Sequence, residues 1–467
     1  MNQTGSNLAP FFKPRSVAIF GSFKKSFFGG YCTVRQLLGI GFTGKIYPIN
    51  PRYDNLFDIK VYPSVKDVPE DVDLAMMMTS NLAIPQLLTE CAEKGVKAAI
   101  IVSDGFAERG GEGTELQRTI VDIAKRGGIR IIGPNTAGMM STVDNMISCA
   151  FECGYERAKQ GGIAIIGQTG LLGPQSMPWH EFNCGINKLI DLGNKCDVNE
   201  SDILEYLGDD PTVKVIAFHL EDIKEGPRFF QTAKEVIKKK PILVLKAGRT
   251  KEGAKALVSH TGSLAGNDKV FDAVCKQIGI IRVDRWSELI DFAKMLAHQP
   301  LPKGNRLGIL TASGGGAAIM IDAAAQYGMT TATLSSESSE RLRKLYPPTW
   351  GSNPIDYGAP ASFYGPDRWF SLYQEGMDVL MTDDNVDCVA TISSLDPFGG
   401  GLADFTRLAE SLRNNLSKPV ATWVYGAIPA YITELTGRLE SLGFPVYTEP
   451  DTPIKALSVM YKYSTML

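Results

Sequence analysis

Only four histidines occur in the 467 residues. One of them, His260, sits in Leu257-Val258-Ser259-His260-Thr261-Gly262-Ser263-Leu264-Ala265-Gly266. Glycine and hydroxyl residues around the ring let a loop move and let other groups come close. A mobile neutral imidazole is a nucleophile that can take a group at one site and hand it on at another. The same letters also suit a structural loop histidine bonded to backbone, so its partners must decide. Glu221-Asp222 follows the apolar run Val215–Leu220. A carboxylate leaving a strand end there can orient and polarise an imidazole brought to it; a lone glutamate is otherwise most simply a solvated loop acid. Two further stretches, Gln168-Thr169-Gly170 and Ser313-Gly314-Gly315, each follow a strand-like run and read as strand-to-helix turns. Small residues let backbone N–H groups point at one spot, and the helix dipole adds positive charge there, which makes a phosphate seat. Such glycines also occur with no ligand. Two helix starts and one moving imidazole together form a constellation suited to stabilising a phosphoimidazole.

The elements that must position these residues fall into three βα-rich segments. The first runs to about residue 150, with strands expected at Ser16–Gly21, Lys45–Asn50, Leu74–Met78, Ala98–Val102 and Ile129–Ile132. Apolar strands alternating with amphipathic helices imply a parallel sheet covered on both faces, and ligands bind at the carboxyl ends of such strands. Those ends carry Gly21-Ser22, Asn50-Pro51, Thr79-Ser80, Ser103-Asp104-Gly105 and Gly133-Pro134-Asn135. The first turn reads Gly21-Ser22-Phe23-Lys24-Lys25-Ser26, not G-x-G-x-x-G, and no acid ends the second strand. A nucleotide-like ligand fits; a nicotinamide cofactor is disfavoured. Lys24 and Lys25 could meet phosphates or serve as solubilising charge. The second segment, 155–298, holds the first candidate seat, Glu221 and His260. A proline-rich stretch, His298 to Asn305, separates it from the third, 305–467. The expected class is α/β, with three Rossmann-like or flavodoxin-like parallel-sheet domains.

The totals bound the function. A chain of this length holds about two to four domains. With 48 basic and 51 acidic residues, a net charge of -3, nothing offsets a phosphate backbone, so nucleic acid is not expected as a partner. No apolar run reaches membrane-spanning length and no signal-like segment opens the chain, so a cytoplasmic protein is expected. The eight cysteines include no C-x-x-C pair, and no metal site is expected. A Gly-x-x-x-x-Gly-Lys-Ser/Thr loop, a kinase motif set and a Gly-x-Ser-x-Gly elbow are all missing. The chain can hold a phosphoryl group but has no evident ATP site of its own, so a second chain or domain is expected to supply one.

These motifs resemble the α subunit of ADP-forming acyl-CoA synthetases of the acetate–CoA ligase type, relatives of succinyl-CoA synthetase. Ser259 to Gly266 is similar to that family's phosphohistidine loop almost letter for letter. Tyr47-Pro48-Ile49-Asn50-Pro51, Gly105-Phe106-Ala107-Glu108, Gly133-Pro134-Asn135, Leu192-Gly193-Asn194-Lys195 and Asn353-Pro354-Ile355-Asp356 support it. The resemblance implies that the first domain binds CoA across Gly21, Ser22, Asn50, Thr79, Ser103 and Asn135. It implies that His260 carries phosphate with Glu221 orienting it, and that the helix starts at Gln168, Thr169, Gly170 and at Ser313, Gly314, Gly315 cradle the phosphoryl group. It implies magnesium with ADP or ATP held mainly by an ATP-grasp β subunit, in a two-plus-two hetero-oligomer. Two departures stand out: Gly21-Ser22-Phe23 where Gly-Ala-Ser is common, and Thr169 where serine is usual. The alternative function is a non-catalytic CoA-binding regulatory protein.

Overall fold

Every residue of Ser16–Phe20 is buried, as a strand enclosed between two layers of helix requires. The computed structural model describes residues 8–152, 154, 158–261, 266–345, 351–358, 368–395 and 401–467. It divides into two compact units, Met1–Leu289 and Ile290–Leu467.

The first unit holds two large sheets. In one, Lys45–Ile49, Ser16–Phe20, Leu74–Met77, Ala98–Ile101 and Arg130–Ile132 lie side by side, all parallel. Counted along the chain the order is 2-1-3-4-5. The second sheet repeats it with Ile186–Asp191, Gln160–Gly167, Val215–Leu220, Ile242–Lys246 and Ile281–Val283. The second unit repeats it again with Thr330–Thr331, Arg306–Thr311, Cys388–Leu395, Val420–Gly426 and Val446–Tyr447. This doubly wound order reverses between the first and third strands, which opens a crevice at their carboxyl ends. The α/β class expected from the alternation of elements is the class observed.

Two short strands within the stretch expected to close the first segment, Met139–Ser141 and Met146–Ile147, extend the second sheet as its antiparallel edge. The chain then returns to the first sheet's glycine turn, where Gly29 N–H donates to Ala150 O at 2.7 Å and Thr33 Oγ1 to Cys149 O at 2.9 Å. In the second unit, Ile355–Asp356 pairs with Leu310 and Thr311. The Asn353 side chain takes the place of ladder bonds beside it, donating to Leu307 O and Ala332 O and accepting from Ile309 N.

Candidate functional site

At the first crevice Gly21 is closely packed: a Cβ there would sit tightly against Met78 O at 3.3 Å and Gly30 N at 3.4 Å. Asn50 bridges the first two strand ends, its Nδ2 donating to Gly21 O at 2.8 Å. Ser22 is exposed in the turn, and Thr79 and Ser103 continue the row, with Ser103 Oγ bonded to Thr79 O. Asn135, held left-handed at φ 59°, donates its N–H to Ser103 O at 2.9 Å. All six residues expected at the CoA site therefore line neighbouring strand ends of one sheet.

The row continues into the second sheet. Asn135 Nδ2 lies 3.4 Å from Asn194 Oδ1, and Asn194 N–H donates to Pro134 O at 2.9 Å. The Asn194 side chain also reaches Glu108 and Gln117, while Glu108 Oε1 accepts from the N–H groups of Gly105 and Phe106. Gly193 turns at φ 54°, and a Cβ on it would collide with the carbonyl oxygens of Pro134 and Asn135. Three of the motifs found separately in the sequence thus form one seam.

Beyond the seam lies the second crevice. Lys195, wholly buried, places its ammonium 2.8 Å from Glu200 and 2.7 Å from Asp222. Gln168 clamps the opposite side: its Nε2 donates to Asp222 Oδ1 at 2.7 Å and its Oε1 accepts from the N–H groups of Glu221 and Asp222. Burial opposes ionisation of Asp222, but Lys195, Lys224 and the bond from Gln168 outweigh it and hold its pKa at about 2. Glu221 is only 4% exposed, so it is no solvated loop acid. Lys246 fixes its backbone, donating to Glu221 O at 2.6 Å. Asp191 ends Ile186–Asp191, on the far side of Gln160–Gly167 from the Glu221 strand, and accepts from Ala137 N–H at 2.7 Å and Gly193 N–H at 3.2 Å. Burial nonetheless pushes its pKa up to about 6, with the charge of Glu221 adding to the effect. His219 on the third strand is held neutral near pH 7: burial and the nearby Lys246 push it down to about 4.

Two local expectations are corrected. After Gln168 the chain makes only a three-residue 3₁₀ turn, Gly170–Leu172, capped by Thr169, and not a helix. Gly173-Pro174 and Pro178 stop a helix from propagating. The Gln168 side chain is spent on Glu221 and Asp222, and the carbonyls of Thr169 and Gly170 accept from Leu172, Gly173, Gln175 and Ser176, so the N–H groups of Thr169 and the exposed Gly170 are what this turn can present to a ligand. His260, read as a loop residue, falls in the last turn of a helix, Lys251–Thr261. Lysine, alanine and leucine favour helix there more than the neighbouring glycine opposes it. Its side chain, and residues 262–265, lie outside the described residues.

The third crevice, in the second unit, does start a long helix, Gly314–Tyr327. Ser313 caps it through Gly316 N, and Gly314 and Gly315 are exposed. Asp356 reaches the same end: its Oδ2 lies 3.6 Å from where a Cβ on Gly314 would stand. Asp191 and Lys246 had no sequence signal, because a strand-end acid and a strand lysine are ordinary letters until their neighbours are known. Among the described residues, no group of three or more His, Cys, Asp or Glu is placed to hold a metal ion. No helix among them is long and apolar enough to cross a membrane.

Residues 15–142 match a model described as a CoA binding domain, and residues 160–296 match a succinyl-CoA ligase like flavodoxin domain. The chain is 36% identical to the acetate–CoA ligase [ADP-forming] I subunit alpha of Pyrococcus furiosus, covering 98% of both chains. The chain belongs to the ADP-forming acetate–CoA ligase family. It is also 38% identical to acetate–CoA ligase [ADP-forming] II of Archaeoglobus fulgidus, over 98% of this chain and 67% of that longer protein. A solved acetyl-coenzyme A synthetase 1 from Ca. Korarchaeum cryptofilum, in complex with phosphate and ADP, superposes with a TM-score of 0.88 at 32% identity, covering 98% and 97% of the two chains. As a ligase-family α chain, it fits the catalytic reading better than the regulatory one.

Proposed function

We propose that this chain is the α component of an acid–CoA ligase that interconverts acyl-CoA, ADP and phosphate with a carboxylic acid, ATP and CoA. Three functional segments serve it: 1–150 holds CoA, 155–298 carries the phosphohistidine, and 305–467 adds a second phosphate seat. In the acyl-CoA to acid direction, phosphate oxygen attacks the thioester carbonyl; the C–S bond breaks, leaving acyl phosphate and the CoA thiol. The His260 imidazole then attacks phosphorus, and the P–O bond to the acyl group breaks to release carboxylate. Glu221 orients the ring and stabilises the positive charge that develops on it. Thr169 and Gly170 of the second crevice offer N–H groups to the phosphoryl oxygens; in the other unit Gly314 and Gly315 form a second phosphate seat, with Ser313, its own N–H bonded to Thr311 Oγ1 at 2.8 Å, capping the helix. Gln168 acts at one remove, by fixing the backbone of Glu221. The phosphoryl group leaves for ADP on an ATP-grasp partner subunit, which holds the nucleotide with its magnesium.

The observation that carries this reading is a row of polar contacts from Thr79 through Ser103 and Asn135 to Asn194, taken up again by the next residue in the chain, Lys195, and running on to Asp222, Gln168 and Glu221. It joins a CoA crevice to a buried acid across two sheets. A regulator that only senses CoA has no use for that acid. The test is incubation with acyl-CoA and radiolabelled phosphate, together with the partner. Acid-labile, base-stable protein label is expected, and His260→Ala abolishes it. Label persisting in His260→Ala refutes the assignment.

A further inference from the structure

Between the two short strands Asn55–Leu56 and Ile59–Lys60 the chain turns on Phe57 and Asp58, at φ 51° and 61°. Two left-handed residues form the tight hairpin turn that asparagine and glycine fill at least cost. A phenylalanine there is a conformational outlier, and such outliers gather where a ligand is held. Its ring is 38% exposed and sits 4.9 Å from the ring of Tyr31. Tyr31 is the second residue of the helix Gly30–Gly39, which opens the first crevice. The hairpin is tied to the end of the second strand, where Asn50 N–H donates to Tyr62 O at 2.9 Å and Tyr62 N–H to Pro48 O at 2.9 Å. A second pair spans the same gap: Phe23, from the turn after the first strand, meets Tyr53 edge-on at 5.6 Å. Lys24 and Lys25 follow Phe23 and Arg52 precedes Tyr53; all three are exposed, and none forms an ion pair with a described residue.

In doubly wound sheets a nucleotide lies with its phosphates at the first helix start and its nucleoside toward the second strand's end. That end is where the hairpin stands. We propose that Phe57, backed by Tyr31, is the stacking platform for the adenine ring of CoA. The proposal rests on the CoA reading of the first crevice. A flat purine is held by an aromatic face whatever its edge groups, and an exposed ring braced by a second ring loses little freedom on binding. The left-handed turn leaves Phe57 part-exposed and braced on Tyr31 at the start of the first helix.

The test is calorimetric titration of the full chain with CoA and with 4′-phosphopantetheine, which lacks the adenosine end. Phe57→Asn and Phe57→Gly both suit the left-handed turn, so folding is retained and is checked by circular dichroism. Each variant is expected to weaken CoA on the order of tenfold and to leave phosphopantetheine unchanged. Asp58→Gly relaxes the neighbouring residue but keeps the ring, and CoA affinity is expected to stay. Equal weakening of both ligands, or of neither, overturns the platform. If wild type binds neither ligand, the CoA reading itself falls, which the two-ligand design separates from failure of the platform alone.

Discussion

Replacing Lys195 by methionine keeps most of the stem's volume and removes its charge. The ammonium now sits against two carboxylates, Glu200 at 2.8 Å and Asp222 at 2.7 Å, and it also donates to Asp222 O at 3.0 Å. Removing one partner of a buried ion pair costs about 3–5 kcal/mol, since the charge left behind has neither water nor counterion. Asp222 keeps Lys224 at 3.1 Å, so Glu200, wholly buried, is the stranded group and the lower end of that range applies. With a urea dependence of about 3 kcal/mol per molar, a loss of about 3 kcal/mol moves the unfolding midpoint down by about 1 M. Glu200→Gln in the same chain keeps an acceptor for Lys224 N–H, bonded at 2.7 Å, while removing the stranded charge. The double variant is therefore expected to recover at least half of the lost midpoint. Lowering the pH should narrow the deficit of the single variant, because a stranded carboxyl binds a proton more readily when folded than when unfolded. A midpoint change smaller than about 0.3 M, or a double variant as weak as the single one, refutes the idea that Lys195 neutralises buried charge here.

Glu221→Gln is expected to slow phosphorylation of the chain by about 10²–10⁴ while calorimetry finds CoA affinity unchanged; a pure loss of CoA affinity contradicts the orienting role. Asp191, with a pKa raised to about 6, binds its proton more tightly folded than unfolded, so its contribution is full below about pH 4 and is lost as pH rises through 6. A carboxyl held that far above its ordinary range corresponds to about 3 kcal/mol, and Asp191→Asn should remove that slope from urea midpoints measured between pH 4 and 7. An unchanged slope assigns it to another group. Asp222 acts in the opposite sense and in a separate window, stabilising above about pH 4 and losing that contribution as pH falls through 2.

The long apolar strands were legible because both faces of a parallel sheet are buried, and runs such as Ser16–Phe20 and Val215–Leu220 carry that requirement in their letters. Ile186–Asp191 was not. It contains Asn187, Lys188 and Asp191, yet all six of its residues are buried. Its polar groups are satisfied by distant partners: Lys188 by Asp210 at 2.7 Å, and Asn187 by the carbonyls of Gly161 and Thr212. No local pattern reveals those pairings. The motif pieces were legible, but their convergence was not, since Gly105–Glu108, Gly133–Asn135 and Leu192–Lys195 meet only through folding. The turn after Gln168 misled because glycine after a strand signals a helix start equally well whether or not prolines cut it short. Glu221 was found from its position at a strand end; its burial could come only from the packed sheet.

The segment 139–152 contributes two strands to the second sheet and then threads its carbonyls into the first sheet's glycine turn. It is therefore a splice and not a spacer. A chimera that exchanges CoA modules between homologous ligases at residue 150 would graft one parent's edge strands onto the other parent's sheet, where the backbone ladder could form but the side chains packed across it would come from different parents. Crossing over near residue 138 instead keeps the sheet whole and leaves the grafted module to meet a foreign strap. Either way the two sheets have to evolve as a pair.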